Sequence, residues 1–107
     1  MDAKLALKVN GPRYDRYEDM AELGELNEAT ILHNLRQRYD CNLIYTYSGL
    51  FLITVNPYRG LPIYGDRVIR WFRDQAATDR PPHIYAVADE AYRGFCQTGS
   101  NQSILIT

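Results

Sequence analysis

The sequence has few of the features that mark secreted, metal-binding or membrane proteins. It has only two cysteines, Cys41 and Cys96, which lie far apart in the sequence. They form no C-x-x-C pair and have no histidine nearby. No signal-peptide segment precedes them, so we expect reduced thiols and a cytoplasmic location. The longest apolar runs fall far short of the roughly twenty residues that a membrane helix needs, and we expect no membrane partner.

The sequence also lacks an excess of charge of either sign. The chain has 12 basic and 13 acidic residues, for a formal net charge of −1. Nucleic-acid-binding proteins usually carry a basic patch, so the balance argues against a nucleic-acid partner. The tyrosines at 45 and 47 would lie on one side of a strand, but a stacking platform for single strands would also need a basic groove beside them.

One local cluster of acids stands out in this balanced background. A pair of these carboxylates is a candidate general acid and base, but arginines are interleaved with them, which favours a solvated face. The acids are Asp15, Glu18, Asp19, Glu22 and Glu25, and the arginines are Arg13 and Arg16.

At 107 residues the chain forms at most one domain. Residues 1–12 alternate apolar and basic side chains without a clear period and end in the chain break Asn10-Gly11-Pro12. We interpret them as a weakly ordered N-terminal arm. Residues 13–107 form the remaining, more regular part.

Three segments have the apolar spacing of helices. The first begins at its N-cap Asn27, carries Ile31, Leu35 and Tyr39 as a stripe widened by Leu32, and stops near Asp40-Cys41-Asn42. The second runs from Asp66, predicted as its N-cap, to Gln75. The third follows Pro81-Pro82, with proline in its first turn, and closes at Thr98-Gly99-Ser100. Its apolar face is Ile84, Val87, Ala88, Ala91, Tyr92 and Phe95.

Two further segments have strand character. Residues 43–55 are rich in β-branched and aromatic side chains and are split by Ser48-Gly49, which predicts a β-hairpin ending at Asn56-Pro57. The apolar run Ile104-Leu105-Ile106 predicts a buried terminal strand that belongs to a larger central sheet. The fold class predicted is therefore α/β.

Three stretches together resemble the myosin motor head, closest to its conventional, filament-forming class. They occur in matching order from about residue 10 to residue 107. They are Glu18-Asp19-Met20-Ala21-Glu22-Leu23 with Leu26-Asn27-Glu28-Ala29; Leu43 to Phe51 running into Val55-Asn56-Pro57-Tyr58; and Pro81-Pro82-His83-Ile84-Tyr85 leading to Asn101-Gln102-Ser103-Ile104-Leu105. The resemblance implies that residues 13–107 are the N-terminal part of such a motor head, a P-loop fold.

The resemblance also implies a site. In that family an N-P-x-x-x-x-x-Y segment forms one wall of the adenine pocket, and it matches Asn56, Pro57 and Tyr64 here. An asparagine amide offers a donor and an acceptor to a purine edge, while proline and tyrosine offer flat apolar surface. Taken without the resemblance, the same residues are more simply a strand terminator and a loop aromatic.

The family's catalytic parts are a glycine-rich phosphate loop and two switch loops, which hold ATP with magnesium. None of their motifs occurs in residues 1–107. Phosphoryl transfer depends on such groups for positioning and charge stabilisation, so we expect this chain alone to have no ATPase and no tight nucleotide binding. The partners implied are the remainder of the motor head and, for the family, actin.

One alternative function stays open. In it, the chain is a non-enzymatic interaction module or remnant that associates through its unpaired C-terminal strand.

The two histidines are weak candidates for a site. His33 and His83 have no Cys, His or acid partners at metal spacing, which favours structural or surface roles over a zinc site. A Cys96–His83 catalytic pair is excluded because more than three helical turns would separate them.

Overall fold

The computed structural model describes residues 17–107. They form three α-helices and a two-stranded antiparallel sheet, joined by short 3₁₀ turns. In chain order these are a turn at Met20–Glu22, α1 (Glu28–Asp40), β1 (Tyr45–Ser48), β2 (Phe51–Thr54), α2 (Asp66–Asp74), a turn at Ala77–Asp79 and α3 (Ile84–Thr98). The predicted α/β class, hairpin and helices are confirmed. The predicted arm at residues 1–12, and Arg13, Asp15 and Arg16, lie outside the described residues.

The start of α1 is fixed by a reciprocal pair of hydrogen bonds. Asn27 Oδ1 accepts from Thr30 N and Thr30 Oγ1 accepts from Asn27 N, each over 3.0 Å. Two otherwise unpaired backbone donors are satisfied in this way, as in other capping boxes. Asn27 is therefore the N-cap of α1, as predicted.

The inner face of α1 differs from the predicted apolar stripe. Asn34 and Arg38 are buried, whereas Leu32 is 67% exposed. Asn34 exchanges two hydrogen bonds with the backbone of Tyr17, at 2.7 and 3.0 Å. Because buried backbone groups need partners, a polar residue lies on the inner face of the helix, next to the half-buried Ile31 and Leu35 of the predicted stripe.

The hairpin turns at Gly49 and Leu50. Ser48 pairs with Phe51 at the turn, and Tyr45 pairs with Thr54 at the open end. Gly49 has φ +60°, a conformation that glycine adopts without steric cost. The predicted division of the two strands at Ser48-Gly49 is confirmed.

A short parallel contact extends the sheet on the β1 side. Tyr47 N donates to Glu18 O over 2.8 Å, and Asp19 forms an isolated bridge with Tyr47. Asp19 Oδ1 accepts from Ala21 N at 2.9 Å and from Gly49 N at 3.0 Å. Of the acidic cluster, Asp19 thus has a structural role as the cap of a turn and as a tie to the hairpin.

Two helix starts differ from the predicted ones. Gly65, and not Asp66, is the N-cap of α2, so the Asp66 carboxylate lies in the first turn instead. The N-cap of α3 is His83, which places both prolines before the helix and not within it. The C-terminal end of α3 is as predicted, with Gly99 as the C-cap at φ +68°.

One core cluster joins the hairpin to α2 and α3. Phe72 of α2 and Ala86 of α3 are almost fully buried against it. Its buried members are Ile44, Tyr45, Ile63, Val68, Phe72 and Ala86, and Tyr39, Leu52, Leu61, Trp71, Ile84 and Tyr85 pack around them. The second half of the predicted apolar face of α3 lies outside the cluster, with Tyr92 67% and Phe95 49% exposed.

The predicted terminal strand is not formed. Residues 99–107 have no regular secondary structure, and Leu105 and Ile106 are more than 80% exposed. A strand requires a neighbouring strand for its backbone groups, and the described part of the chain supplies none beside this segment. Within this segment, the side chain of Gln102 lies close to Gly94 of α3.

No helix within residues 17–107 is long and apolar enough to cross a bilayer.

Candidate functional site

The first two predicted site residues follow β2 directly. Asn56 Oδ1 accepts a hydrogen bond of 2.7 Å from Tyr58 N, which closes a local turn in which Tyr58 has φ +52°. This turn uses the amide oxygen of Asn56, so its Nδ2 hydrogens remain the donors that a base edge would meet. Pro57 is half-buried beside it.

The backbone at this point is held by α1. Tyr39 OH lies 3.5 Å from both the Asn56 and the Pro57 carbonyl oxygens, at the long limit of a hydrogen bond. The ring of Tyr39 itself packs against the core cluster. The Asn56-Pro57 turn thus contacts the core through Tyr39.

The third predicted residue, Tyr64, is held at both ends. Its hydroxyl lies 2.6 Å from Tyr45 OH, and its carbonyl oxygen accepts from Tyr85 OH over 2.7 Å. The side chain is nevertheless 42% exposed. Tyr64 is thus an ordered aromatic ring that still has surface open to a ligand.

His83 lies at the centre of the aromatic residues around Tyr64. It has no exposed surface, and its ring centroid is 4.5 Å from Tyr85, 4.8 Å from Phe72, 4.9 Å from Tyr45 and 5.4 Å from Tyr64. Nδ1 accepts from Tyr85 N over 2.9 Å, and Nε2 lies 2.8 Å from Ile63 O. A carbonyl can only accept, so the proton is on Nε2 and the imidazole is neutral.

Burial explains the protonation states in this cluster. It lowers the pKa of His83 to about 4, although the hydrogen bond to the Ile63 carbonyl opposes the shift. Burial, followed by the hydrogen bond to Tyr64, raises the pKa of Tyr45. Both side chains are therefore uncharged near neutral pH. His83 has a structural role here, and residues 17–107 hold no group of three or more His, Cys, Asp or Glu side chains able to bind a metal ion.

The three predicted residues are thus attached to one core cluster through different elements. Asn56 and Pro57 are attached through Tyr39 of α1, and Tyr64 through Tyr45 of β1 and Tyr85 of α3. An apolar groove of about 310 Å³ lies elsewhere, between α2 and α3. Its lining is Ile69, Phe72, Arg73, Tyr85, Ala88, Asp89 and Tyr92, and includes none of the predicted residues.

Sequence reasoning did not find the residues that support Tyr64. It placed Tyr45 on one side of a strand and gave His83 a structural or surface role, without linking either to the candidate site. Their partners lie 19 and 20 residues away in the chain, so no local pattern could reveal them. The only available signal was the position of His83 at a helix start, where a side-chain acceptor is usual.

Comparison with known families agrees with the resemblance noted in the sequence. The family model described as myosin head (motor domain) matches residues 17–107, which is most of the chain. The chain belongs to the myosin head (motor domain) family. The ordered Asn56-Pro57 turn and Tyr64 are therefore parts of a myosin motor-domain segment.

Proposed function

We propose that this chain is the N-terminal segment of a myosin-like, actin-based, ATP-driven motor, and that Asn56, Pro57 and Tyr64 form one wall of its adenine pocket. The observation that carries the proposal is Tyr64, which is fixed at its hydroxyl and at its carbonyl yet remains 42% exposed. A ring that is already ordered binds a flat ligand with little further loss of side-chain entropy.

The Asn56 turn supplies the polar part of the wall. Because Oδ1 is bonded to Tyr58 N, the orientation of the amide is set and its N–H hydrogens can serve an acceptor on the base. Polar groups of this kind fix the orientation of a ligand that apolar surface merely attracts. This geometry suits one side of a base-binding pocket.

In this proposal the triphosphate and magnesium are held by other parts of the complete motor. Residues 1–107 contain no glycine-rich loop that ends in Lys and Thr. The remainder of the motor head and actin are the partners of the complete motor, which acts in the cytoplasm. These residues alone bind adenine weakly and have no ATPase activity.

The exposed tail supports a second role. Ile104, Leu105 and Ile106 are 50%, 88% and 84% exposed, and such a run is a template for adding to a sheet. In the complete motor it pairs with the central sheet of the remaining head. In the chain alone it favours association with a second copy.

Titration with adenosine, followed by NMR, tests the adenine pocket without depending on phosphate contacts. We expect weak binding that shifts signals of Asn56 and Tyr64. Asn56→Asp keeps the oxygen that accepts from Tyr58 but removes the amide donors, and should weaken binding about fivefold to tenfold. Tyr64→Ala should weaken it at least as much.

Tyr92→Ala is the matched control, since Tyr92 is an exposed tyrosine that lines the groove between α2 and α3. This variant should bind adenosine as the unmodified chain does. Adenosine shifts that map to Tyr92 and Ala88 instead of Asn56 and Tyr64 would place the ligand in the groove and refute the proposal. ATP turnover that disappears in Asn56→Ala would refute the predicted lack of ATPase activity.

A further inference from the structure

Two consecutive residues in the loop before α2 are held by three side chains from other elements. His83 Nε2 donates to Ile63 O over 2.8 Å, Tyr85 OH donates to Tyr64 O over 2.7 Å, and the hydroxyls of Tyr45 and Tyr64 lie 2.6 Å apart. His83 and Tyr85 belong to the start of α3, whereas Tyr45 belongs to β1. The loop residue Tyr64 is thus tied to two elements of the core.

These contacts restrict the side chain of Tyr64 as well as its backbone. The bond to Tyr45 fixes the far end of the side chain, and the bond to Tyr85 fixes its backbone carbonyl. The rings of His83 and Tyr85 meet that of Tyr64 edge-on, at centroid distances of 5.4 and 5.9 Å. Because both ends and the ring are contacted, we expect Tyr64 to keep a single orientation although 42% of it is exposed.

Tyr45 is well suited to this task. It is 7% exposed, so its hydroxyl depends on a protein partner, and Tyr64 OH is the partner that the structure provides. The orientation of Tyr64 is therefore the one that satisfies a buried polar group. A different rotamer of Tyr64 would leave the Tyr45 hydroxyl without a hydrogen bond.

We infer that Tyr45 and Tyr85 are positioning residues that hold Tyr64 ready to contact the base of a bound adenine nucleoside. This inference rests on the proposed function and deepens it, because it assigns the affinity of the pocket wall partly to side chains that do not touch the ligand. Preorganisation of this kind lowers the entropy lost on binding.

The test uses Tyr45→Phe and Tyr85→Phe, each of which removes one hydroxyl and keeps the ring. Tyr47→Phe is the matched control, since its hydroxyl bonds to Pro81 O at 3.3 Å and not to Tyr64. Two quantities are measured in the whole chain with ring-labelled tyrosine. They are the NMR ring signals of Tyr64 without ligand, and the affinity for adenosine.

We expect Tyr45→Phe and Tyr85→Phe to move the Tyr64 ring signals toward those of a freely rotating tyrosine and to weaken adenosine binding about fivefold each. Tyr47→Phe should change neither quantity. Circular dichroism at the same temperature should show all three variants fully folded, so that a loss of affinity reflects the position of Tyr64 and not unfolding.

The two hypotheses fail in different ways. Unchanged Tyr64 ring signals in both variants would overturn the positioning role, whatever the affinity for adenosine. Altered ring signals with unchanged adenosine affinity would overturn it too, provided that Asn56→Asp still weakens binding. Absence of adenosine binding to the unmodified chain would refute the proposed pocket, while the ring signals would still decide whether Tyr45 and Tyr85 hold Tyr64.

Discussion

The side chain of Arg38, near the end of α1, donates from Nε to Thr46 Oγ1 in β1 over 2.9 Å. A second guanidinium nitrogen, Nη2, donates to the carbonyl oxygen of Tyr45 over 2.8 Å. Arg38 is 4% exposed and Thr46 is 1% exposed. A buried guanidinium thus joins the helix to the hairpin, and it holds the strand at the residue that contacts Tyr64.

Replacement of this arginine should be costly. We expect Arg38→Met to lower the free energy of unfolding by about 2–4 kcal/mol, because it leaves two buried oxygens without donors. Arg36→Met, at an exposed position of the same helix, should change it by less than about 0.5 kcal/mol. Urea denaturation followed by circular dichroism measures both. Equal losses in the two variants would contradict a special role for Arg38.

His83 should make stability depend on pH. Its pKa in the folded chain is about 4, against an ordinary value of 6.5, so the folded state favours the neutral ring. The resulting stabilisation is fully present above about pH 6.5 and is lost as the pH falls toward about 4. A shift of this size corresponds to about 3 kcal/mol.

The variant His83→Asn tests this dependence. Asparagine keeps an acceptor for Tyr85 N at the N-cap but does not titrate. We expect lower stability at neutral pH and a flatter profile between about pH 7 and about pH 5, measured by urea denaturation at each pH. A variant as steeply dependent on pH as the unmodified chain would show that another group is responsible.

Asp89 of α3 joins two arginines of different exposure. Its Oδ2 pairs with Arg80 Nη1 and lies 2.7 Å from Arg93 Nε, and the side chain of Arg80 is 3% exposed, that of Arg93 31%. Asp89→Asn should cost about 3 kcal/mol, because it leaves the buried Arg80 charge uncompensated. Arg93→Ala should cost at most about 1 kcal/mol, since solvent screens its pair. Thermal unfolding compares them, and the reverse order would contradict this assignment.

The tail should make the chain associate. We expect sedimentation velocity to show association that increases with concentration, and Leu105→Lys to weaken it about thirtyfold, since a leucine buried at an interface contributes about 2 kcal/mol. Leu50→Lys changes a leucine at the hairpin turn that is even more exposed than Leu105, and it should have no effect. A chain that stays monomeric at all concentrations would rule out the tail as an association site.

Much of the fold could be predicted because its signals are local. The Asn27 cap, the Ser48-Gly49 division of the hairpin and the Gly99 helix end each depend on residues within one turn of the feature. The inner face of α1 could not be predicted in this way. Its buried side chains, Asn34 and Arg38, are explained by hydrogen bonds to residues 7 to 17 positions away in the chain, namely Tyr17 for Asn34 and both Tyr45 and Thr46 for Arg38.

The candidate site, too, could be predicted only in part. Resemblance to the family led to Asn56, Pro57 and Tyr64, and the structure shows each attached to the core through a tyrosine. It could not lead to Tyr45, His83 and Tyr85, since those contacts exist only when β1 and α3 pack together. The prediction of a terminal strand was wrong for a related reason. The apolar pattern of Ile104-Leu105-Ile106 does not indicate whether a neighbouring strand is present to pair with it.

The position of Asp19 has a consequence for the rates of folding and unfolding. Its carboxylate bonds to Gly49 N, 30 residues away, and we expect this bond to form late in folding, because it requires both the hairpin turn and the first 3₁₀ turn. Interactions absent from the transition state slow unfolding and hardly change folding. Stopped-flow measurements on Asp19→Ala should therefore show faster unfolding at a nearly unchanged folding rate. We expect Asp19 to govern how long the native state persists, and not how quickly it is reached.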